Sequence, residues 1–159
     1  MATTPAASHP VLTALGSGLA GAAALTAIHE TARRIDPDDA PRMDTYGRRA
    51  IAAGFRAVGA EPPHYEALQG MALAGDLLTN AAFYTLVAAG SPTTETAWVR
   101  GAALGAAAGI GAVVLPPLMG LGRKPRGTTP ATQAMTVAWY LAGGLAAAGM
   151  YHLLNARER

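Results

Sequence analysis

The sequence has no cysteine and few charged or aromatic side chains, and each shortage excludes a class of protein. Without cysteine the chain can form neither disulfide bonds nor thiol-based active sites. Only 14% of its residues are charged, whereas soluble domains usually carry about 25%. The basic residues form no extended arm interleaved with aromatic residues, so the sequence predicts no nucleic-acid partner.

The sequence contains three long stretches without Asp, Glu, Lys or Arg, at residues 77–94, 101–122 and 127–156. Uncharged runs of about 18 residues or more are typical of transmembrane helices. We predict an all-α integral membrane protein, a four-helix bundle forming a single domain over residues 1–159. Its spans are expected at about 11–30, 66–90, 95–116 and 130–154. An alanine-rich soluble bundle is disfavoured because these runs leave no polar outer face.

The start of the chain favours a first span that is retained in the protein. Residues 1–10 contain no Lys or Arg, so the basic segment of a secretory signal is missing. Glycines recur in this span and again in the third, where two GxxxG motifs overlap. Small residues at such spacing let helix backbones touch. They predict close packing and a homo-oligomer, at Gly16, Gly18, Gly21, Gly101, Gly105 and Gly109.

Between the first two spans the sequence predicts a short amphipathic helix from Asp44, as its N-cap, to Val58. Its apolar residues recur at helical spacing while its arginines fall elsewhere, which is typical of an interfacial helix on an anionic membrane. A cap packed over the end of the bundle explains the same pattern. For the third span, Ser91 and Pro92 fit an N-cap and first helical residue, and Pro116 and Pro117 should end or kink it near Leu115.

The basic residues predict the orientation. The connection between spans 1 and 2 holds six arginines, and the connection between spans 3 and 4 holds Arg123, Lys124 and Arg126. The opposite side has Arg100 near one turn and Arg157 and Arg159 in the tail. The positive-inside rule therefore places both termini outside. The composition suits a bacterial inner (plasma) membrane, with the lipid bilayer as the first partner.

A polar stripe on the second span is the strongest functional signal. Gln69, Asp76, Thr79 and Asn80 fall within an arc of roughly 100° on a helix, and Phe83 and Tyr84 continue it. Asp76 would lie roughly 15 Å into the membrane. A carboxylate at that depth is costly and usually faces protein or water.

Because successive spans cross the membrane in opposite directions, polar residues of three spans are expected at similar depths. We predict that they form a pocket open to the cytoplasm, with Asp76 at its floor. Asp76 would handle a proton or a cation, with Asn80, Thr136 and Tyr140 as hydrogen-bonding neighbours. Alternatively, a hydrogen-bonded Asp76 only fixes helix register. The predicted pocket residues are Asp76, Asn80, Gln69, Thr136, Tyr140, His29 and Glu30.

The basic groups near the end of the first span predict contacts with lipid headgroups, through Arg33, Arg34, Arg48 and Arg49. Glu30 and Arg34 have the spacing of a favourable ion pair. The same region contains HExxR, which lacks the second histidine of the HExxH zinc motif, so we predict no metal site. The sequence predicts no cofactor.

Three functions remain. The leading hypothesis is a small polytopic protein that binds or moves a small solute, ion or lipid through the Asp76 pocket. A non-catalytic assembly or interaction subunit is the second. An intramembrane lipid-modifying enzyme is the third, because no GxSxG motif or Ser/His/Asp spacing indicates a nucleophile.

Overall fold

The computed structural model describes residues 10–37, 40–122, 125 and 128–156, and within them the chain is helical without a strand. The elements are α1 (Pro10–Ile35), α2 (Met43–Ala57), α3 (Tyr65–Tyr84) with a 3₁₀ extension (Thr85–Ala88), α4 (Thr94–Leu118) and α5 (Pro130–Ala156). The all-α prediction is confirmed for this part of the chain. By length and composition, α1, α3 with its extension, α4 and α5 could each cross a membrane, as in a multi-pass membrane protein.

Several predicted features lie outside the described residues. These are the polar leader up to residue 9, the basic group Arg123, Lys124 and Arg126, and the tail residues Arg157 and Arg159.

Helix α1 holds the central position among the long helices. It packs against α3 on one side and α5 on the other, and α5 packs in turn against α4. Helices α1 and α5 run antiparallel, because Gly16 lies against Leu154 while Gly21, later in α1, lies against Gly143, earlier in α5. By contrast, α3 and α4 have few direct contacts. The side between α3 and α4 is therefore the loosely packed one.

Glycines on α4 and α5 let the two backbones meet. A Cβ atom built on Gly144 would lie 2.1 Å from the carbonyl oxygen of Gly101. Atoms added to Gly105 and Gly109 would each lie 2.7 Å from a Cα atom of α5. Such distances are shorter than any ordinary van der Waals contact. The GxxxG face is thus used within one chain, and self-association remains a prediction that would need another surface.

Tyr84 joins α3 to α5 across α1. The side chain is fully buried, and its hydroxyl donates to the backbone oxygen of Tyr140 at 2.7 Å. A Cβ atom at Gly21 or Gly143 would approach Tyr84 to 2.9 Å, so only glycine leaves room for the ring and hydroxyl. Although Tyr84 was expected to continue the polar stripe, it belongs to the apolar core.

The predicted start of α4 is wrong by two residues. Thr93, not Ser91, is the N-cap, and its hydroxyl accepts a hydrogen bond from the backbone N–H of Thr96 at 3.2 Å. Ser91 has a φ of 49°, following Gly90 at 71°. An N-cap residue has extended backbone, so a left-handed serine in the turn cannot serve as one.

The opposite end of the same turn is fixed by Arg100. Its guanidinium Nη1 donates to the carbonyl oxygens of Val87, at 3.2 Å, and Ala89. Carbonyl groups at a helix end have no partners within the helix, and here a cation supplies the donor. At its far end α4 runs to Leu118, with Pro116 and Pro117 inside its last turn.

Substituting Gly144 tests the close approach of α4 and α5. We expect Gly144→Ala to destabilise the protein by about 1–3 kcal/mol, because the backbones must separate to admit one methyl group. Thermal unfolding in a mild detergent measures the effect. Gly70→Ala on α3 is the control, since a Cβ atom there meets nothing within 4 Å; an equal loss in both variants would contradict the packing argument.

Candidate functional site

Helix α2 is held against α3 by the side chain of Arg48. Its Nη1 atom donates to Asp44 Oδ2 at 2.6 Å and also to Gln69 Oε1 on α3. The guanidinium carbon lies 4.8 Å from the ring centroid of Tyr65, within cation–π distance. Tyr46 of α2 is also buried, and α2 packs against α3. The two arrangements considered for this helix, on a membrane surface and over the end of a bundle, both stay predictions.

Asp44 has a different role from the one predicted. Helix α2 begins at Met43, two residues earlier than an Asp44 cap requires, and Arg42 occupies the N-cap position. The Asp44 carboxylate lies among three arginines, bonded to Arg48, 3.5 Å from Arg33 and 3.7 Å from Arg42. The only signal in the sequence was an acidic residue amid basic ones, which does not identify its partners.

The predicted ion pair at the end of α1 is also corrected. Glu30 Oε2 pairs with Arg33 Nη2 at 3.0 Å rather than with Arg34. Because Arg33 also lies near Asp44, its guanidinium is placed between carboxylates of two different helices. Arg34 is exposed on another side of α1. The predicted i, i+4 pair is thus replaced by an i, i+3 pair of the same helix, whose arginine also contacts Asp44.

A cavity of about 370 Å³ lies where α3 and α4 diverge, with α1 behind it and α2 across one end. This volume is within the range of small-molecule sites. Most of its wall is apolar. The polar and aromatic side chains that line it are Thr26, His29, Glu30, Arg33, Asp44, Tyr46, Gln69, Asp76, Thr79 and Tyr140.

The structure brings most of the predicted pocket residues together. His29, Glu30, Gln69, Asp76 and Tyr140 all line the cavity. Asn80 is buried beside it, and its Nδ2 atom donates to Asp76 Oδ1 at 3.0 Å.

Thr136 does not reach the cavity. Its hydroxyl donates to the backbone oxygen of Thr132, 2.9 Å away on the same helix. The side chain lines a separate cavity of about 30 Å³ near the start of α5. Equal depth along two helices therefore did not place Thr136 on the same face as Asp76.

The charges around the cavity are balanced except at Asp76. Glu30 and Asp44 each lie within 4 Å of an arginine, whereas no lysine or arginine of the described residues lies that close to Asp76. Its one hydrogen-bond donor there is the neutral amide of Asn80. A half-buried carboxylate without a counter-ion is costly. Its hydrogen-bonding and charge requirements are met only in part by this chain.

Two further polar atoms in the α1 wall are buried without a hydrogen-bond partner among the described residues. They are Thr26 Oγ1 and His29 Nε2. The imidazole ring packs edge-on against Trp139, with ring centroids 5.0 Å apart, and against Tyr140 at 6.0 Å. An unsatisfied buried polar group costs about 1–3 kcal/mol. The wall opposite Asp76 therefore also has unused hydrogen-bonding capacity.

Three of the four arginines predicted to contact lipid headgroups are engaged within the chain. Arg33 and Arg48 pair with carboxylates, and Arg49 Nη1 donates to the backbone oxygen of Leu121 at 3.2 Å. Only Arg34 of the four is exposed. Headgroup binding by these residues stays a prediction, and it would compete with the intramolecular contacts of the other three.

Arginine substitutions on α2 test how this helix is held. We expect Arg48→Ala to weaken the docking of α2 by about 1–3 kcal/mol, because the Asp44 carboxylate and the Gln69 amide lose a buried partner. Hydrogen exchange across residues 43–57 measures the effect. Arg56→Ala removes the same charge from an exposed position of the same helix. Equal exchange in both variants would show that Arg48 does not hold α2.

Comparison with known proteins yields no match, whether by family model, by curated protein sequence or by solved structure.

Proposed function

We propose that this chain is a multi-pass protein of a bacterial inner membrane that binds a small solute in the Asp76 cavity and moves it. In this proposal α1, α3, α4 and α5 cross the bilayer as a four-helix bundle with both termini outside. The observation that carries it is the unpaired Asp76 carboxylate in the wall of a cavity of about 370 Å³. Ionisable groups within membrane spans are costly and usually mark a solute or ion pathway.

The depth of Asp76 supports a site within the membrane rather than at its surface. It is eleven residues from the start of α3 at Tyr65, which is about 16 Å along the axis. The hydrocarbon core is about 30 Å thick. The carboxylate would therefore lie near the middle of the bilayer, where it must face protein, water in the cavity or a bound solute.

The cavity has two boundaries that differ in their contacts. Along its side, α3 and α4 are loosely packed against each other. At one end, α2 closes it through the polar contacts of Arg48 and Asp44. Opening of either boundary would connect the cavity with its surroundings. Passage of a solute requires the two boundaries to open alternately. Movement of α2 at one end, and of the loosely packed α3 and α4 along the side, would allow this.

Replacing the carboxylate tests this function. In native mass spectrometry from mild detergent, we expect the wild-type protein to carry a bound small molecule that Asp76→Asn loses, because the amide removes the charge. Glu66→Gln is the matched control, since it removes a carboxylate from an exposed position near the start of α3. Loss of the adduct in both variants would contradict a specific role for Asp76. A stable oligomer without any adduct would favour the assembly subunit instead.

The proposed orientation has its own test. Alkaline phosphatase, which is active only outside the cytoplasm, should be active when fused after the last residue, because the basic connections are held inside. Green fluorescent protein exported unfolded to the same side should be dark. The reverse pair of results would place both termini in the cytoplasm.

A further inference from the structure

We infer that the solute is a small organic cation with an apolar body, whose positive charge rests on the carboxylate of Asp76. This inference depends on the proposed function and specifies the class of its ligand.

The charges of the cavity wall favour a cation. Its charged side chains are Glu30, Asp44, Asp76 and Arg33. Arg33 lies 3.0 Å from Glu30 and 3.5 Å from Asp44, so its charge is already shared by two carboxylates. Asp76 has the amide of Asn80 as its one donor among the described residues. Asp44 is also paired with Arg48, so Asp76 is the carboxylate of the cavity wall without a counter-ion in the part of the chain that the structure describes. A cation placed beside Asp76 completes its pairing, whereas an anion there would be repelled by that carboxylate.

Two prolines of α4 leave backbone carbonyl groups without the donor that a regular helix supplies. Ala112 and Pro116 both line the cavity. In a regular α-helix the N–H of residue 116 would donate to the carbonyl of Ala112, but proline has no N–H. Pro117 likewise provides no donor for Val113. An ammonium group donates hydrogen bonds and accepts none, so the carbonyl of Ala112 suits it as a partner.

The rest of the wall favours an organic cation over a metal ion. Leu73, Ile51 and Met43 provide apolar surface, and the aromatic side chains of Tyr46 and Tyr140 border the same space. Aromatic faces attract organic ammonium groups. In the described part of the chain, no three His, Asp or Glu side chains come together as they would around a metal ion. A cation bearing a hydrocarbon group would use both the carboxylate and the apolar wall.

A single introduced thiol can test the charge preference, because the chain has no cysteine of its own. Gly75→Cys places it in the cavity wall, where a Cβ atom meets nothing within 4 Å. Gly54→Cys on α2 is the matched control, equally unobstructed but exposed outside the cavity. The probes are the trimethylammonium-ethyl and sulfonato-ethyl methanethiosulfonates, which are similar in size and opposite in charge.

The quantity measured is the ratio of the labelling rates of the cationic and the anionic reagent. We expect this ratio to be at least about tenfold higher at Gly75→Cys than at Gly54→Cys, since an unscreened carboxylate lies nearby. Adding Asp76→Asn should reduce that preference severalfold. Benzyltrimethylammonium should slow labelling of Gly75→Cys, whereas phenylmethanesulfonate should not.

The two proposals fail in different ways. Suppose that the ratio of cationic to anionic labelling rates is the same at Gly75→Cys as at Gly54→Cys, and that benzyltrimethylammonium gives no protection. The cavity is then accessible but the cation assignment is wrong. If neither reagent labels it while Gly54→Cys reacts, the accessible cavity itself is refuted, and with it the proposed function. Thr79→Cys, on the same wall and close in size to the native residue, provides a second variant should Gly75→Cys not fold.

Discussion

The close approach of helix backbones at glycine is the constraint on which the other features depend. Gly18, Gly21 and Gly143 bring α1 against both α3 and α5, and Gly101 and Gly144 bring α4 against α5. Contact at these points leaves no space for side chains, so three of the four sides between the long helices are tightly closed. The fourth side, between α3 and α4, has no such glycine pair. The cavity lies on this side, where α3 and α4 have few direct contacts.

Polar contacts act together with the buried Tyr46 side chain to position α2. Asp44 and Arg48 are only 15% and 12% exposed in their side chains, so their pairing replaces water that both groups have lost. Buried pairs of this kind add little net stability but are costly to break singly. They suit a helix that must take one particular position, and that could leave it only when both partners regain water together.

Long uncharged runs made the helices predictable, because few other structures accommodate them. The exact ends were less predictable. Ser91–Pro92 and Thr93–Thr94 both resemble helix starts, and they are distinguished by the hydrogen bond from Thr96 and by the left-handed backbone of Ser91. The helical periodicity and the expected depth of each residue in the membrane were enough to predict that Gln69 and Asp76 of α3 line the same cavity as His29 of α1. They failed for Thr136, whose rotation about α5 depends on the glycine contacts. The roles of Asp44 and Arg48 were missed because they depend on the docking of α2, which no local pattern encodes.

The packing of Trp139 against His29 gives the molecule a natural optical reporter. The chain has two tryptophans. Trp98 lies 40% exposed on α4, close to Gly149 of α5, whereas the Trp139 ring touches an imidazole that borders the cavity. Movement of that imidazole would change the surroundings of Trp139. We therefore expect the intrinsic fluorescence of this protein to report events in the cavity without an attached dye.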